Sequence, residues 1–382
     1  MSAERDMSST APGVTLVVSA LVCGGAERVL ANMAAYWVRR GRPVTVITLF
    51  SRERDFFRLD ERIKRVDLGL HGNPRQSRTL AVGALRSFRP LRRALRGAGH
   101  PLVISFLTRT NLLVLMAAWR LPVKIIASEH TDPRARSMGR LVEMLRRRLY
   151  RRAAAVTVLT PSVKTEWADR FLAPGRAVVL PNPVQAPEDA GGMPPIRVPA
   201  RYLVTMGRLV PDKGHLPLIE AFAAIADRFP DVSLLILGEG PERETLERRA
   251  AERGLGDRVL LPGAVRGASS LLRGAAAFVL SSRREGFPMA LAEAMSSGTP
   301  CISFDCASGP AEMIRDGEDG ILVPPGDTQE LARAMADLLA DPERAAVLGA
   351  NAKRNIRDRF APDIIMGQWD ALLRKCLERE RP

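Results

Sequence analysis

The sequence is poor in aromatic residues and in cysteine. Phe, Trp and Tyr together make up 5% of its 382 residues, so a core must be built mainly from Leu, Val, Ala and Ile. The cysteines, Cys23, Cys301, Cys306 and Cys376, have the spacing of neither a zinc site nor a disulfide framework. We therefore expect free, buried thiols in a reducing compartment.

Long apolar runs are also missing. No stretch approaches the roughly 20 apolar residues that a membrane-spanning helix requires. The apolar run Val14–Val22 follows Glu4, Arg5 and Asp6, which do not form the positively charged flank of a signal peptide. We interpret Val14–Ser19 as the first buried strand and expect the chain to stay in the cytoplasm.

Acidic residues are outnumbered by basic ones. The formal net charge is +15 at pH 7, which implies an anionic partner: nucleic acid, anionic lipid or a phosphorylated substrate. The sign of the charge does not choose among these partners. A nucleic-acid-binding protein is disfavoured because aromatic residues are few and no nucleic-acid-binding module is recognised.

Short apolar runs alternate with helical patterns along the chain, which is typical of parallel sheets covered by helices on both faces. A proline-rich stretch, Pro181–Pro199, separates two such series. The runs of the first series are Val14–Ser19, Val44–Leu49, Val103–Phe106, Val123–Ser128, Ala155–Leu159 and Ala177–Leu180. Those of the second are Tyr202–Gly207, Ser233–Gly238, Val259–Leu261, Ala276–Leu280, Cys301–Phe304 and Gly320–Val323.

The pattern predicts an α/β fold with two doubly wound domains facing a central cleft. The N-terminal domain would cover residues 1–185, a linker 186–200 and the C-terminal domain 201–360. A final helix, 361–382, can pack back on the N-terminal domain. Ligands of such sheets bind at the carboxyl ends of the strands, so we expect the site in the cleft.

Two cations follow the first strand of the second domain. The strand is predicted to end at Gly207 and a helix to start near His215, with Arg208 and Lys213 on the loop between them. An Arg guanidinium can donate two hydrogen bonds to one phosphate and a Lys ammonium adds a compact positive charge, so the pair can bind a diphosphate. Taken alone, a pair of this kind is better explained as two surface cations on a solvated loop.

Two glutamates eight residues apart follow a later strand of the same domain. Glu285 is predicted on the loop before a helix and Glu293 near the second turn of that helix. Pro288 is expected in the first turn, so Gly286 and Phe287 would present free backbone N–H groups at the positive helix end. One carboxylate can accept hydrogen bonds from hexose hydroxyls and the other from ribose hydroxyls.

The segments 207–214 and 285–293, in this order and context, resemble the retaining family 4 glycosyltransferases of the GT-B fold. That fold consists of two Rossmann-like domains. Residues 24–28, Gly-Gly-Ala-Glu-Arg, are similar to the N-terminal glycine turn of the family. The resemblance extends over most of the chain, roughly from Val14 to Phe360.

The resemblance implies a nucleotide-sugar donor site in the C-terminal domain and an acceptor-side N-terminal domain. The diphosphate would be bound by Arg208 and Lys213, the ribose by Glu293 and the transferred sugar by Glu285. The remaining donor contacts would come from the backbone near Val265, from Gly286 and Phe287, and from Gly24 and Gly25, which let a loop approach the phosphate.

The family resemblance also implies that neither a metal nor a cofactor is needed. The cations and the helix dipole can neutralise the leaving diphosphate, and no Asp-x-Asp motif is present. The reaction would proceed by departure of the diphosphate and attack of the acceptor on the same face, since no nucleophile for a double displacement is evident.

A polar cluster, 128–132, follows an apolar strand of the first domain. Spacing alone favours a surface turn for its histidine. Members of the family place a histidine here, facing the donor sugar, so the resemblance implies that the catalytic set is His130, Glu285, Arg208 and Lys213. Glu129 and Asp132 become candidates for acceptor contacts.

An arginine-rich helix is predicted between Arg134 and Arg152. Its expected buried stripe is Met138, Leu141, Leu145 and Leu149, and its expected basic face is Arg136, Arg140, Arg147 and Arg151. A second basic set at helical spacing is Arg86, Arg89, Arg93 and Arg96. Such faces are either solvated or lie against anionic phosphates. By resemblance to lipid-linked oligosaccharide transferases, we expect peripheral contact with the inner face of the cytoplasmic membrane.

The resemblance thus implies a retaining transferase that moves a hexose or N-acetylhexosamine from a nucleotide sugar, UDP-linked, to a lipid-linked or polysaccharide acceptor, forming an α-glycosidic bond. Residues 308–312, Ser-Gly-Pro-Ala-Glu, replace the Gly-Gly-x-Pro-Glu of much of the family. They resemble a branch that transfers galactose-type or N-acetylgalactosamine units.

Three alternatives stay open at this point. A basic nucleic-acid-binding α/β protein would account for the charge. A nucleotide-sugar-binding protein without turnover would keep the donor site, although the intact Glu and cation pairs disfavour it. A dinucleotide-dependent dehydrogenase would share the α/β pattern, but neither domain has a Gly-x-Gly-x-x-Gly fingerprint after its first strand.

Overall fold

The chain forms two compact units. A computed structural model describes residues 11–378 except 23, 71–79, 135–137, 186–195, 197 and 266. The first unit contains the residues up to Leu180 and those from Met366 on, and the second contains Pro181–Ile365. Each unit is built on one parallel sheet.

The first unit contains a seven-stranded sheet in the order β3-β2-β1-β4-β5-β6-β7. All pairs are parallel, and all five residues of β1 are buried, as expected for a central strand of a sheet covered on both faces. The strands are β1 Val14–Val18, β2 Val44–Phe50, β3 Lys64–Leu70, β4 Leu102–Phe106, β5 Lys124–Ser128, β6 Ala155–Val158 and β7 Ala177–Val179. The helices are α1 Gly25–Arg39, α2 Leu80–Ala98, α3 Thr108–Ala117, α4 Arg140–Tyr150 and α5 Pro161–Glu166.

The second unit repeats this winding with six strands, in the order β10-β9-β8-β11-β12-β13. Its strands are β8 Arg201–Met206, β9 Val232–Leu237, β10 Val259–Gly263, β11 Ala277–Leu280, β12 Cys301–Phe304 and β13 Ile321–Val323. Its helices are α6 His215–Ile225, α7 Arg243–Glu252, α8 Ser269–Gly274, α9 Met289–Ser297, α10 Pro310–Met313, α11 Thr328–Ala340 and α12 Pro342–Phe360. The last helix, α13 Pro362–Glu378, starts here and continues into the first unit.

Strand order decides which loops meet. In each sheet the winding reverses between the first strand and the fourth, and ligand sites of such sheets lie at this switch point. In the second unit, β8 and β11 are direct neighbours. The loops that follow them, which carry Lys213 and Glu285, are therefore brought together although 72 residues separate them.

The C-terminal helices begin where the sequence predicts. Helices α12 and α13 start at Pro342 and Pro362, as expected because proline suits the first helical turn. In the first unit, Trp369 of α13 packs edge-on against Trp37 with a ring separation of 6.5 Å. Asp370 accepts a hydrogen bond from the Trp37 indole at 2.8 Å and pairs with Arg42 at 2.8 Å.

The predicted fold class is confirmed, and every predicted strand is present within one or two residues. One strand, β3, was missed. From Arg65 on, its residues alternate between polar and apolar, and among the described strands it pairs with β2 alone. It therefore lacks the continuous apolar run that marks the central strands. The cores are mainly aliphatic, and Cys301, Cys306 and Cys376 are buried free thiols, as predicted. Cys23 lies outside the described residues.

Among the residues that the structure describes, none of the helices combines the length and the apolar character that crossing a bilayer requires.

Candidate active site

The loop between β8 and α6, which we call the cation loop, is held by close backbone packing. It contains a short 3-10 turn, Pro211–Lys213, that ends at Gly214 with a φ of +66°. A Cβ atom at Gly214 would lie 1.9 Å from the carbonyl oxygen of Ser281. Only glycine fits both the conformation and the space, so Lys213 is fixed against the residues that leave β11.

Lys213 and Glu285 form an ion pair across the two loops. The Lys213 Nζ lies 2.6 Å from the Glu285 Oε1, and the side chains are 25% and 9% exposed, respectively. Arg208, on the same loop, is exposed and forms no ion pair with any residue that the structure describes. The site therefore presents one cation neutralised by a carboxylate and one that is open to an anion.

His215, the first residue of α6, packs beneath the backbone of the cation loop at Arg208. Its ring is 1% exposed, and its Nε2 lies 3.3 Å from the carbonyl oxygen of Arg208. Burial lowers the pKa of His215 to about 4; the Arg208 carbonyl opposes this shift and the Lys213 charge adds to it. The imidazole is therefore neutral at physiological pH and adds no charge beside Arg208.

Two glycines of the site were missed in the sequence. A Cβ atom at Gly238 would lie 1.8 Å from the carbonyl oxygen of Gly207, and one at Gly240 would lie 2.3 Å from that of Leu209. The loop after β9 is thus packed directly onto the cation loop. The signal was present in the sequence, because residues 238–241 read Gly-Glu-Gly-Pro at the end of a predicted strand.

The Ser-Gly-Pro segment supports the loop that carries Glu285. The Ser308 hydroxyl donates to the carbonyl oxygen of Glu285 at 2.6 Å. Gly309 has a φ of +99°, and a Cβ atom there would lie 2.7 Å from the Cδ of Pro288. This segment therefore fixes the position of Glu285, so a different sequence at 308–312 would change the support of that glutamate.

The helix after Glu285 begins one residue later than predicted. Pro288 is the N-cap of α9 instead of a first-turn residue, because its ψ of 92° is not helical. Phe287 is buried and packs edge-on against Phe360 at 5.4 Å, while Gly286 stays half-buried. Glu293 lies in the second turn of α9, as predicted.

The other predicted donor residues also lie at the carboxyl edges of the sheets. Val265 is half-buried just after β10. Gly24 is the N-cap of α1 with extended backbone, and Gly25 is the first residue of that helix. A Cβ atom at Gly24 would lie 2.3 Å from a carboxylate oxygen of Glu27, so the space beside this glycine is filled by a flexible side chain.

His130 follows β5 in the first unit. Its ring stacks on Phe106 with a centroid separation of 4.9 Å, and its Nε2 lies 3.0 Å from the Ser128 hydroxyl. That hydroxyl accepts a hydrogen bond from Thr157 at 2.7 Å. The ring is thus held on one face and at one nitrogen, and the residue is half-buried.

Two domain families match the chain in series. Residues 23–186 match the Glycosyltransferase Family 4 domain, and residues 194–355 match the domain described as Glycosyl transferases group 1. The chain belongs to the family 4 glycosyltransferases. It is an enzyme of the retaining class that takes its sugar from a nucleotide sugar.

Individual relatives show how far the similarity extends. The glycosyltransferase is 30% identical to an exopolysaccharide phosphotransferase of Streptomyces coelicolor, over 93% of this chain but 40% of the relative. It therefore spans less than half of that protein. It is 27% identical to the Campylobacter jejuni GalNAc-alpha-(1->4)-GalNAc-alpha-(1->3)-diNAcBac-PP-undecaprenol alpha-1,4-N-acetyl-D-galactosaminyltransferase, over 94% of this chain and 98% of the relative.

A solved structure shares the fold of the glycosyltransferase. HepE from Anabaena, in complex with UDP and glucose, superposes with a TM-score of 0.78 at 19% identity, covering 95% of this chain and 100% of the other. Family membership favours an enzyme over the non-catalytic, dehydrogenase and nucleic-acid-binding alternatives.

The structure does not place the Glu129 and Asp132 carboxylates at an open surface. Glu129 is 1% exposed and turned into the interior of the first unit. Asp132 is also buried, and its carboxylate is paired with Arg134 at 2.8 Å. Because Glu129 is buried, we do not retain its predicted contact with the acceptor, and the contact of Asp132 stays a prediction.

The predicted apolar stripe of the arginine-rich helix is wrong in one part. Helix α4 starts only at Arg140, and Leu141 in its first turn is 72% exposed. Met144 is 62% exposed on the same side, whereas Arg146 is buried with its guanidinium 4.7 Å from the Trp167 ring centroid. The packed side of the helix includes Leu145 and Leu149 as predicted.

The predicted basic face of α4 is divided by its contacts. Arg140 is exposed, and Arg147 is exposed but pairs with Glu143 at 2.9 Å. Arg151 donates to the carbonyl oxygen of Phe171 at 3.1 Å. Arg136 lies outside the described residues. On α2, the exposed members of the second basic set are Arg89, Arg93 and Arg96, and the side chain of Arg86 is not among those described.

The side chains that the structure describes contain no group of three or more His, Cys, Asp or Glu residues that could hold a metal ion.

Proposed function

We propose that this glycosyltransferase transfers a hexose or N-acetylhexosamine from a UDP-sugar to a lipid-linked or polysaccharide acceptor, forming an α-glycosidic bond. The observation that carries the proposal is the Lys213–Glu285 pair at 2.6 Å, with the open cation Arg208 on the same loop. A sugar diphosphate carries negative charge beside neutral hydroxyls, and this arrangement offers cations beside a carboxylate acceptor.

In this proposal the diphosphate binds Arg208 and Lys213. A lysine ammonium has three donors, so it can keep its bond to Glu285 while it donates to a phosphate oxygen. Glu285 accepts hydrogen bonds from hydroxyls of the transferred sugar, and Glu293 accepts them from the ribose. Val265, Gly286 and Phe287 supply backbone contacts, and Gly24 and Gly25 lie along the phosphate.

The proposed reaction is a transfer on one face of the sugar. As the bond to the diphosphate breaks, negative charge grows on the leaving oxygen. Fixed cations therefore stabilise the transition state more than they stabilise the bound substrate. The acceptor hydroxyl attacks from the same side, so the α configuration is kept. His130 contacts the donor sugar from the first unit in this proposal, and no metal is required.

Donor identity is supported by the relatives. A solved structure with the same fold contains UDP. The Campylobacter relative is named as an N-acetylgalactosaminyltransferase acting on an undecaprenol-linked glycan. Together with the Ser-Gly-Pro segment at 308–310, these names favour a UDP-linked hexosamine or galactose-type donor and a polyprenyl-diphosphate acceptor.

A donor screen tests the proposal. The enzyme is incubated with UDP- and GDP-sugars, with and without a polyprenyl-diphosphate saccharide, and release of the nucleoside diphosphate is measured in EDTA. We expect release with a UDP-sugar that increases with the acceptor and is lost in Glu285→Gln. Absence of release with every donor in the presence of lipid would refute the proposal, and activity only with added metal would refute its metal independence.

The membrane contact is proposed for the exposed side of α4. Leu141 and Met144 project there between Arg140, Arg147 and Arg148, and all five are exposed. Apolar side chains among cations suit the interface of an anionic bilayer, where each basic residue contributes about 1 kcal/mol. We propose that this face brings the enzyme to the cytoplasmic leaflet where a lipid-linked acceptor would lie.

Vesicle sedimentation tests this surface. Binding to phosphatidylglycerol vesicles is compared with binding to phosphatidylcholine vesicles for the wild type, for Arg140→Glu with Arg147→Glu, and for Leu141→Ser with Met144→Ser. Val347→Ser is the matched control, because Val347 is 60% exposed on α12 of the second unit. We expect both double variants to lose at least tenfold in affinity for anionic vesicles. Unchanged binding and unchanged lipid-acceptor turnover would contradict the proposal.

A further inference from the structure

The Glu129 carboxylate is buried directly beside the His130 loop. The Thr108 hydroxyl lies 3.0 and 2.8 Å from its two oxygens, and the Tyr150 hydroxyl donates to Oε1. Burial raises the pKa of Glu129, and the bond from Tyr150, the charge of Arg146 and the bond from Thr108 oppose that shift. The hydrogen bonds and the Arg146 charge therefore offset the desolvation of this carboxyl group only in part.

These bonds join three elements at one point. Glu129 follows β5, Thr108 begins α3 and Tyr150 ends α4. Asn111 of α3 closes the network, because its amide donates to the Tyr150 hydroxyl at 3.0 Å and to the carbonyl oxygen of Ser128 at 3.1 Å. At the end of β5, Ser128 is thus bonded to α3, and Glu129 is bonded to both α3 and α4.

His130 is the next residue along the chain. Its ring stacks on Phe106, and Phe106 precedes Leu107, which has a φ of +73°. A leucine adopts this conformation only when its surroundings enforce it. Thr108 is bonded to Glu129 on one side of this turn, and the Leu107 N–H donates to the carbonyl oxygen of Ser128 at 3.0 Å.

We propose that Glu129 is a positioning residue for His130. Its carboxylate, bonded to Thr108 and Tyr150, holds the exit of β5 against α3 and α4, so that the ring of His130 stays on Phe106. The consequence for catalysis rests on the proposed function, in which His130 contacts the donor sugar. Glu129 itself touches neither donor nor acceptor.

Hydroxyl deletions provide the test without removing the carboxylate. Thr108→Val and Tyr150→Phe each delete one donor to Glu129, whereas Thr108→Ser keeps the hydroxyl and should restore the wild-type behaviour. Glu129→Gln replaces one acceptor oxygen of the carboxyl group at nearly constant volume. Tyr202→Phe is the control, because Tyr202 is also a buried residue, and its hydroxyl donates to the carbonyl oxygen of Leu271 at 2.7 Å in the second unit.

Two readouts are needed, ring resonances and kinetics. The chain has four histidines, so the ring signals of the labelled protein can be assigned by substitution. In Thr108→Val, Tyr150→Phe and Glu129→Gln we expect the His130 signals to shift, those of His100 and His215 to stay, and kcat to fall at least tenfold while the donor KM changes less than twofold. Thr108→Ser and Tyr202→Phe should leave both readouts at wild-type values.

The outcomes separate the two proposals. If folded Thr108→Val and Tyr150→Phe keep the His130 signals and the wild-type kcat, Glu129 does not position His130 and the inference is wrong. If the His130 signals move but His130→Gln has full turnover, the positioning stands and the catalytic role of His130 in the proposed function is refuted.

Discussion

Replacing Lys213 by Met removes the cation that neutralises Glu285 and keeps most of the side-chain volume. The Glu285 carboxylate is only 9% exposed, so it would be left nearly buried without an opposite charge. Breaking a fully buried ion pair costs about 3–5 kcal/mol and breaking an exposed pair costs about 0–1 kcal/mol. Because Lys213 is 25% exposed, we expect a loss of about 1–3 kcal/mol in the free energy of unfolding.

The converse change should cost less. Glu285→Gln leaves a half-buried ammonium that can still reach water and donate to the amide oxygen, so about 1 kcal/mol or less is expected. In the double variant no charge is left unpaired. Its loss should therefore be smaller than the sum of the single losses by about 1 kcal/mol or more, as contacting residues couple.

Activity should behave differently from stability. A hydrogen bond to a charged group contributes about 1.5–3 kcal/mol, which corresponds to roughly 10- to 150-fold. Lys213→Met is therefore expected to lower kcat/KM for the donor by about that factor, and the double variant should not recover it. Removing both charges lowers the combined stability loss, whereas sugar transfer requires the charged groups themselves.

Urea denaturation and donor kinetics on the four proteins measure both quantities. Arg284→Met is the matched control, because Arg284 pairs with Asp212 at 3.6 Å in the same two loops but both side chains are more than half exposed. It should change stability by less than about 1 kcal/mol. The reasoning would be refuted if the stability losses of the two single variants add up in the double variant. It would also be refuted if the double variant had a higher kcat/KM than Lys213→Met.

Other residues give sharp expectations as well. Gly214→Ala should lower the free energy of unfolding by about 1–3 kcal/mol and kcat/KM at least tenfold, because its Cβ would lie 1.9 Å from the Ser281 carbonyl oxygen. Gly256→Ala is the control, because its Cβ would meet open space, and it should change neither quantity. An unchanged urea midpoint for Gly214→Ala would contradict this. The folded pKa of His215 is about 4, below its ordinary 6.5, so stability present above pH 6.5 is lost as the pH falls towards 4. Wild type should lose about 2 kcal/mol more than His215→Gln between pH 7.5 and pH 5, and equal losses would argue against a buried neutral ring. Burial raises the pKa of Cys306 to about 12, so Ellman's reagent at pH 8 should label it only after unfolding; rapid labelling of the native thiol would be inconsistent with this burial.

Local pattern was sufficient for the architecture. Central parallel strands are buried on both faces, so each appears as an apolar run, and the alternation with helices predicts the winding. Edge strand β3 was missed because polar residues interrupt its apolar ones, and Lys64 and Gly69 are exposed. An edge strand needs only one apolar face, and a search for continuous apolar runs does not detect it.

The positions of the proposed donor residues were predictable for a related reason. Ligands meet doubly wound sheets at the carboxyl ends of the strands, so chemistry-bearing residues that follow a strand are strong candidates. Arg208, Lys213, Glu285 and Glu293 all satisfied that rule. Helix α4 illustrates the limit, because periodicity predicts that a helix has two sides but does not decide which side packs. Leu141 was assigned to the wrong side, and the buried Arg146 was not anticipated.

The sequence by itself determined two α/β units, the order of their strands along the chain, and the residue types gathered after β8, β11 and β5. Tertiary structure decided how those residues are used. It paired Lys213 with Glu285 across 72 positions, placed Gly238 against the cation loop, and turned Glu129 inward while leaving His130 at the β5 exit. These outcomes depend on which strands are neighbours and on contacts between distant segments. A local pattern encodes burial and periodicity, but contacts of this kind are set only when the whole sheet has formed.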